Sequence, residues 1–165
     1  MYKIEEKLVN YKINPFTEFG YDCPVVSAGS INDFNTMTIA WGQMGTLWSK
    51  PVCTVFIKPI RYTYKFMEEN DYFTISFFDK EYLKDINYIG THSGKDEDKI
   101  AKTSLHPIEV ENGVTFKEAK VTIVCRKIYH DDLKLKYMEN DVIHHYYESE
   151  LPHRVYVGEV VKIID

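Results

Sequence analysis

Two short segments carry side chains that could bind an anion, and each includes the start of a predicted helix. The segments are K-P-I-R-Y-T-Y at 58–64 and T-H-S-G-K-D-E-D-K at 91–99. Their candidate phosphate-binding residues are Arg61, Thr63, Ser93, Gly94, Lys95 and Lys99. The start of a helix offers unpaired backbone N–H groups, and nearby cations and hydroxyls would complete a phosphate site. The alternative is that Thr63 and Ser93 only cap their helices.

A third segment, N-T-M-T-I-A-W-G-Q-M-G-T-L-W-S-K-P at 35–51, is neither an amphipathic strand nor a polar loop. It contains both tryptophans of the chain, two glycines and three threonines, with few charges. Hydroxyls, a carboxamide, close backbone approach and flat aromatic surface occur together in it. This combination predicts contact with a bound group that has both polar and planar apolar parts.

The elements that would position these segments are mostly short strands. Predicted strands cover Pro24–Gly29, Asn35–Trp41, Val52–Ile57, Tyr72–Phe78, Lys120–Tyr129 and His153–Ile164. Predicted helices cover 63–70, Lys80–Gly90, Gly94–Thr103 and Glu139–Tyr147. Gly90 is the expected end of its helix, and Gly158 is the expected bulge or bend in the last strand. About seven strands with few helices indicate a β-barrel or sandwich, and no G-x-G-x-x-G dinucleotide motif is present.

Composition narrows the class of protein. The chain of 165 residues, 44% apolar and 27% charged, fits one globular domain spanning 1–165. Its formal net charge is −5 without a basic cluster, so no nucleic-acid partner is expected. Aromatic residues reach 15%, which favours β structure and flat binding surfaces.

The ends and the cysteines give further expectations. The first ten residues contain Glu5 where a signal peptide needs an apolar run, and no stretch approaches a membrane span. A cytoplasmic protein without membrane contact is therefore expected. Of the three cysteines, Cys53 and Cys125 lie in apolar strand-like runs, which indicates small buried side chains.

The histidines do not suggest a metal site. His144 and His145 are adjacent, so on a helix they point about 100° apart and cannot act as the paired ligands of His-x-x-x-His. A surface helix or a dimer contact is the preferred interpretation, and no metal is expected. His92 could contact a ligand at the anion site or could simply be an exposed loop residue.

The three motifs occur in register, and together they resemble the flavin reductase-like FMN-binding split-barrel family, in particular its flavoredoxin-like branch. They are N-T-M-T-I-A-W-G…L-W-x-K-P, K-P-x-R-Y-T-Y and T-H-S-G-K-D-x-D-K, and the resemblance runs from about Val25 to Val161. It implies a mainly β fold, a six-stranded antiparallel Greek-key split β-barrel with a few short flanking helices. FMN would lie along this barrel, commonly near a homodimer interface.

The resemblance also implies which residues contact FMN. The isoalloxazine and ribityl chain would lie beside Asn35, Thr36, Met37, Thr38, Ala40, Trp41 and Gly42. The phosphate would be bound by Arg61 and Thr63, with His92, Ser93, Gly94, Lys95 and Lys99 around it. Ser76 and Phe77 would make more distant contacts. No protein acid, base or nucleophile is implied, because the flavin carries the redox chemistry.

Three functions remain open at this point. The first is an FMN-dependent oxidoreductase that transfers a hydride from NAD(P)H to flavin. The second is a flavoredoxin-type electron carrier with a protein redox partner, and the third is a barrel that has lost the cofactor. His153 in L-P-H-R-V-Y-V-G-E-V resembles a nicotinamide-contacting histidine of G-D-H-x-x-F-x-G-E-V, but Leu151-Pro152 replaces Gly-Asp. The retained phosphate donors argue against the third function.

Overall fold

A computed structural model describes residues 6–165, and Glu5 lies outside the described residues. The strands are β1 Val25–Ser30, β2 Asp33–Thr38, β3 Gly42–Leu47, β4 Lys50–Ile57, β5 Tyr72–Phe77, β6 Pro107–Val110, β7 Gly113–Phe116, β8 Val121–Asp132 and β9 Arg154–Ile164. The α-helices are α1 Glu6–Asn10, α2 Pro15–Gly20, α3 Tyr62–Glu69, α4 Leu83–Thr91 and α5 Asn140–Tyr146. Single 3₁₀ turns are formed by Lys80–Tyr82, Ile100–Lys102 and Leu135–Tyr137. None of the helices within 6–165 has both the length and the apolar character needed to cross a bilayer.

Seven strands form one antiparallel sheet in the order β2-β1-β5-β8-β9-β4-β3. β2 and β3 stand at opposite ends of this order, although only residues 39–41 separate them in sequence. In a flat sheet the two would be roughly 29 Å apart, since neighbouring strands are about 4.8 Å apart. Four Cα steps of about 3.8 Å span at most roughly 15 Å. The sheet must therefore curl. The expected antiparallel split barrel is confirmed, with seven strands in place of the expected six.

The interior of the barrel is filled by alternate residues of the strands. Val26, Val55, Ile75 and Tyr156 are fully buried, each on a different strand. Cys53 and Cys125 lie in the same core as free thiols, which confirms the expectation that they are small buried side chains. Continuous apolar packing of this kind gives a rigid wall on which surface segments can be held at fixed positions.

Gly158 allows close packing at the centre of the barrel. A Cβ at this position would overlap the ring of Phe73 and the side chain of Cys125. The pairing of β8 with β9 shifts register between Lys127 and Tyr129, directly beside Gly158. The expected irregularity at Gly158 is present in this strand pair, but the extra residue, Ile128, lies on β8 and not on the last strand.

The sequence prediction missed three strands and extended one too far. β3 contains two glycines and pairs with β4 through a turn in which Trp48 and Ser49 both have positive φ. The hairpin of β6 and β7, four residues in each strand, forms a second small sheet. Such short or glycine-containing strands lack the apolar alternation that identifies a strand. β2 ends at Thr38 instead of Trp41, because residues 39–41 cross to the other edge of the sheet.

The predicted helix Gly94–Thr103 is wrong, and the predicted helix end at Gly90 is also wrong. Residues 94–99 form turns, followed by the 3₁₀ turn Ile100–Lys102. Since G-K-D-E-D-K contains no apolar residue, a helix here would have no face to pack on the barrel. Gly90 lies inside α4, which continues to Thr91, and a Cβ there would overlap the Thr38 hydroxyl. The other predicted helices are confirmed in type.

Candidate functional site

Two adjoining cavities form one surface groove beside β2. The polar cavity, of about 320 Å³, extends from Asn35 and Thr63 to the segment His92–Gly94. The aromatic cavity, of about 330 Å³, extends from Ala40–Trp41 to Tyr146 and His153. Three residues line both cavities and make the groove continuous, namely Met37, Thr38 and Arg61.

The start of α3 opens into the polar cavity. Arg61 stands at the N-cap position, adopts an extended backbone conformation and gives no side-chain bond to the helix start. Thr63 lies one residue inside the helix, so the interpretation of Thr63 as the cap is wrong. Its buried hydroxyl instead accepts a hydrogen bond from Asn35 Nδ2 at 2.8 Å. The first N–H groups of α3 therefore have no side-chain acceptor from their own cap residue and can serve an anion.

The end of α4 and the following turn form the opposite wall. Gly90 packs on Thr38, and a Cβ at Gly94 would overlap the Asn35 side chain. Ser93 Oγ accepts the backbone N–H of Lys95 at 3.2 Å, so Ser93 does stabilise its own turn. The two glycine contacts hold this turn directly against β2, which leaves a narrow slot between the turn and α3.

Lys99 is a buried cation beneath this wall. Its side chain is only 4% exposed, and Nζ donates to the carbonyl oxygens of Ile89 and His92, each at 3.0 Å. These carbonyls lie at the C-terminal end of α4, where a positive charge is favourable. Burial and, second, the nearby Arg61 charge lower the pKa of Lys99 to about 8. Lys99 thus fixes the wall and adds positive charge to the polar cavity.

Arg61 is the main exposed cation of the groove. Across residues 6–165, the structure gives its guanidinium no ion pair with a carboxylate. Its charge lowers the pKa of both Lys99, in the polar cavity, and His153, in the aromatic cavity. One carboxylate, Asp96, also lines the polar cavity. The potential near Arg61 is positive in a protein whose formal net charge is −5, which favours an anionic ligand at this place.

Aromatic rings wall the other half of the groove. The Trp41 ring lies 5.1 Å from that of Tyr146 in an edge-to-face arrangement and 4.7 Å from the His153 ring. Trp41 is 39% exposed, so part of its surface remains open to a ligand. Tyr146 and His153 both come from the excursion between β8 and β9, which carries α5. This cavity offers flat apolar surface suited to a planar ring.

His153 is neutral at physiological pH. Burial, followed by the charges of Lys58 and Arg61, lowers its pKa to about 4. The carboxylate of Glu150 opposes this shift, but Glu150 is itself paired with Lys58. A neutral imidazole has one donor and one acceptor nitrogen, so His153 can hydrogen bond a ligand without adding charge.

Most of the residues predicted for the site lie in the groove. Those in the polar cavity are Asn35, Met37, Thr38, Arg61, Thr63, His92, Ser93, Gly94 and Lys99. Those in the aromatic cavity are Met37, Thr38, Ala40, Trp41, Arg61 and the possible nicotinamide contact His153. Segments 35–41, 61–63 and 92–99, separate in sequence, are thus brought together around one groove.

Five predicted residues do not line the groove. Thr36 points away from it, because successive strand side chains face opposite sides, and its hydroxyl bonds Ser27 and the Val26 carbonyl. Lys95 is exposed and, with Thr36, lines a third cavity of about 710 Å³, which adjoins the polar cavity at Asn35, Gly94, Asp96 and Lys99 but does not reach Arg61. The other three are part of the barrel packing.

Gly42, Ser76 and Phe77 are packed into the barrel. A Cβ at Gly42 would overlap the Phe19 ring, so this glycine allows α2 to approach β3. Ser76 is fully buried with its hydroxyl beside those of Thr115 and Thr122, at 2.9 and 3.1 Å. Phe77, which is 1% exposed, packs edge-to-face on Phe19.

Sequence reasoning missed several residues that line the groove. Cys23, Phe56, Lys58 and Tyr146 line the aromatic cavity, and Ile60, Tyr62 and Asp96 line the polar cavity. Ile60 and Tyr62 flank Arg61 and could have been found by proximity. Tyr146 carried no such signal, since it lies more than a hundred residues from Trp41. His144 and His145 stay outside, with His144 paired to Glu148 at 3.6 Å.

The family model described as the flavin reductase like domain matches residues 16–164. The chain belongs to the flavin reductase-like family. Among solved structures, it is similar to a flavoredoxin of Desulfovibrio vulgaris (Miyazaki F), with 23% identity and a TM-score of 0.67 over 86% of this chain and 68% of that one. It is also similar to an FMN-binding protein from Thermus thermophilus with bound 1-cyclohex-2-enone, with 19% identity, a TM-score of 0.69 and coverage of 94% and 78%.

A third similar structure is a flavoredoxin from Methanosarcina acetivorans, with 22% identity, a TM-score of 0.67 and coverage of 94% of this chain and 75% of that one. At these identities the flavin reductase-like structures establish the shared fold. The comparison with curated proteins gives no match.

Proposed function

We propose that this chain binds FMN in the groove and acts as a flavin oxidoreductase that uses NAD(P)H as the electron donor. The observation that carries the proposal is the arrangement of the groove. It has a helix start and a cation without an ion pair among residues 6–165 at one end, and aromatic surface at the other. FMN is a phosphate joined to a planar tricycle by a flexible chain, so its two chemistries match the two cavities. The similarity to flavin reductase-like proteins also supports FMN as the ligand.

In this proposal the protein supplies binding and orientation. Arg61 and the first N–H groups of α3 would hold the phosphate, and Asn35 would keep Thr63 in position beside it. Lys99 would hold the wall in place through its two carbonyl contacts, and Gly94 would allow the backbone to approach the ligand closely. When bound, FMN supplies the hydride and electron chemistry, so no side chain has to act as a nucleophile.

The aromatic cavity would place the ring. Trp41 would cover part of one surface, with Met37 and Ala40 beside it. His153 would contribute a neutral hydrogen-bonding group next to the ring, where the nicotinamide of NAD(P)H would also have to approach. An electrically neutral imidazole there does not oppose a ligand that carries its negative charge at the phosphate.

A flavoredoxin-type electron carrier is the second candidate function. The observation that favours it is Leu151-Pro152 before His153, where the resembling reductase motif has Gly-Asp. In this case a protein redox partner would deliver or accept the electrons. A barrel without cofactor is disfavoured, since Arg61, which has no ion pair within the described part of the chain, would then have no role.

We also propose that the protein is a cytoplasmic homodimer. Trp48 is 59% exposed and packs on Tyr129, which is 44% exposed, on the outside of the barrel. Exposed aromatic surface of this kind is typical of residues that a partner covers. Sedimentation that finds only monomer at working concentration would exclude the dimer.

The experiment that tests the function is anaerobic reduction of the FMN-loaded protein. Purified protein is reconstituted with FMN, and its visible flavin absorbance is recorded before and after addition of NADH or NADPH. Bleaching by either nucleotide within the mixing time supports the reductase. A band that survives both nucleotides but bleaches with dithionite favours the electron carrier, and a protein that cannot be reconstituted contradicts both.

A further inference from the structure

A tyrosine that does not line the groove is hydrogen bonded to the His153 ring. Tyr147 Oη lies 2.8 Å from His153 Nδ1, and Tyr147 is only 5% exposed. Tyr147 occupies the position directly after α5, where its backbone N–H bonds the Ile143 carbonyl at 2.8 Å. The ammonium of Lys58 lies 5.8 Å from the centre of its ring. The tyrosine is therefore fixed on several sides.

The surroundings of the Tyr147 hydroxyl define the direction of its hydrogen bond. Among residues 6–165, His153 Nδ1 is the only acceptor within hydrogen-bond distance of this hydroxyl, and burial raises the pKa of the phenol above its ordinary value. A buried O–H group that lacks an acceptor is costly, so the phenol donates its hydrogen. Nδ1 of the same histidine is that acceptor, so the imidazole hydrogen must lie on Nε2.

The remaining edge of the ring faces the groove. His153 lines the aromatic cavity, and its ring stacks at a tilt on Trp41. Within 6–165, the structure gives Nε2 no protein hydrogen-bond partner. The carbonyl oxygen of His153 accepts the backbone N–H of Leu133 at 3.0 Å, so the backbone that carries the ring is also anchored.

We infer that Tyr147 is a positioning residue, which holds His153 as a neutral imidazole with its hydrogen on Nε2 and so gives the groove one fixed hydrogen-bond donor. The ligand that meets this donor must present an acceptor oxygen or nitrogen at the ring end of the groove. The requirement for an acceptor atom on the ligand rests on the proposed function. The tautomer itself does not, since it follows from Tyr147 and His153 alone.

The charges around His153 agree with this assignment. Burial and the facing cations Lys58 and Arg61 lower its pKa to about 4, against the opposing charge of the facing carboxylate Glu150. The imidazole is thus uncharged over the whole physiological range and can exist as either of two neutral tautomers. The hydrogen bond with Tyr147 stabilises the one with its hydrogen on Nε2.

The test is NMR of the ¹⁵N-labelled protein without flavin at pH 7, in which long-range proton–nitrogen correlations distinguish the two imidazole tautomers. His153→Gln identifies the His153 signals by their loss. Tyr147→Phe removes only the hydroxyl, and Tyr146→Phe, which removes the neighbouring hydroxyl, is the matched control. Amide spectra of each variant report whether the fold is kept.

We expect the Nε2–H form in the parent and in Tyr146→Phe. In Tyr147→Phe the ratio of the Nε2–H to the Nδ1–H form should fall roughly fivefold, the effect of losing one hydrogen bond. Hydrogen on Nδ1 in the parent would overturn the inference, and it does so even if Tyr147→Phe fails to fold. An unchanged ratio in a folded Tyr147→Phe would overturn it as well. Because no flavin is present, a failure of FMN binding would appear in a separate experiment.

Discussion

The two halves of the groove are built in different ways. The polar cavity is made by turns that pack directly on β2 through Gly90 and Gly94, and its charges come from Arg61 and the buried Lys99. The aromatic cavity is made by rings on a long excursion between β8 and β9 that reaches back to Trp41. One half thus depends on the absence of side chains and the other on the presence of large ones.

This difference predicts different responses to substitution. Close backbone contact leaves no space for an added atom, so a single methyl group should damage the polar cavity. Aromatic rings that meet at their edges can shift slightly, so changes in the aromatic cavity should alter ligand orientation more than stability.

Gly94→Ala should have the largest effect. The new Cβ would overlap Asn35, whose amide bonds Thr63. Overpacking of this kind costs about 1–3 kcal/mol of unfolding free energy, and we expect at least a tenfold loss of FMN affinity. Urea unfolding and flavin titration measure the two effects.

Gly45→Ala is the matched control for this prediction. Gly45 lies on the edge strand β3, and a Cβ there would have no atom within 4 Å. It should change neither stability nor FMN affinity appreciably. If Gly94→Ala behaved like Gly45→Ala, the tight contact between the turn and β2 would be disproved.

Lys99→Met should remove a pH dependence of stability. In the folded parent the pKa of Lys99 is lowered to about 8 from an ordinary 10.5. Between these values the unfolded chain binds more protons, so the unfolding free energy of the parent should rise with pH. The expected contribution is about 1–3 kcal/mol, since one pKa unit corresponds to about 1.4 kcal/mol.

The measurement is the difference in unfolding free energy between parent and Lys99→Met at pH 7.5 and 9.5. Taking the difference cancels the thiols and phenols that also titrate in this range. A difference that stays constant with pH would mean that the Lys99 amine is not buried against the carbonyls of Ile89 and His92.

His153→Gln should show a smaller effect with acid. The pKa of His153 is lowered to about 4 from an ordinary 6.5, so the parent should lose stability as pH falls through this window. The side chain is half-buried, so solvent screening reduces the loss to about 1 kcal/mol. Unfolding of parent and variant at pH 7 and pH 4.5 measures it, and equal slopes would contradict the neutral, half-buried imidazole.

The local motifs predicted the polar cavity well. Arg61 and Thr63 are two residues apart, and Ser93 and Gly94 are adjacent, so each pair reaches the groove as a unit. The barrel was also predictable, because its strands alternate and its core residues are β-branched or aromatic. A motif does not specify the direction of each side chain, and Lys95, expected beside the phosphate, is exposed and does not line the groove in the structure.

Side-chain direction explains most other errors. Thr36 stands between Asn35 and Met37, but strand alternation turns it to the other side. Ser76 was expected, from the family resemblance, to make a more distant contact with FMN. Its burial beside Thr115 and Thr122 depends on strand pairing that sequence spacing does not reveal.

The aromatic cavity could be predicted only in part. Trp41 was identified from its own segment, whereas Tyr146 reaches it through a contact between distant parts of the chain. The contact of Tyr147 with His153 could not be predicted either, because in the sequence Tyr147 is only one of two tyrosines at the end of a predicted surface helix. Contacts of this range follow from the closure of the barrel and the length of the excursion, not from local pattern.

The most direct test of the central claim compares FMN with riboflavin, which lacks the phosphate. Parent, Arg61→Ala and the control Lys95→Ala are titrated with both flavins under identical salt. We expect Arg61→Ala to lose at least tenfold in FMN affinity, because a charge-assisted contact is worth about 1.5–3 kcal/mol, while its riboflavin affinity and both affinities of Lys95→Ala stay within twofold of the parent. If Arg61→Ala binds FMN as tightly as the parent does, the polar cavity is not the phosphate site and the account is wrong.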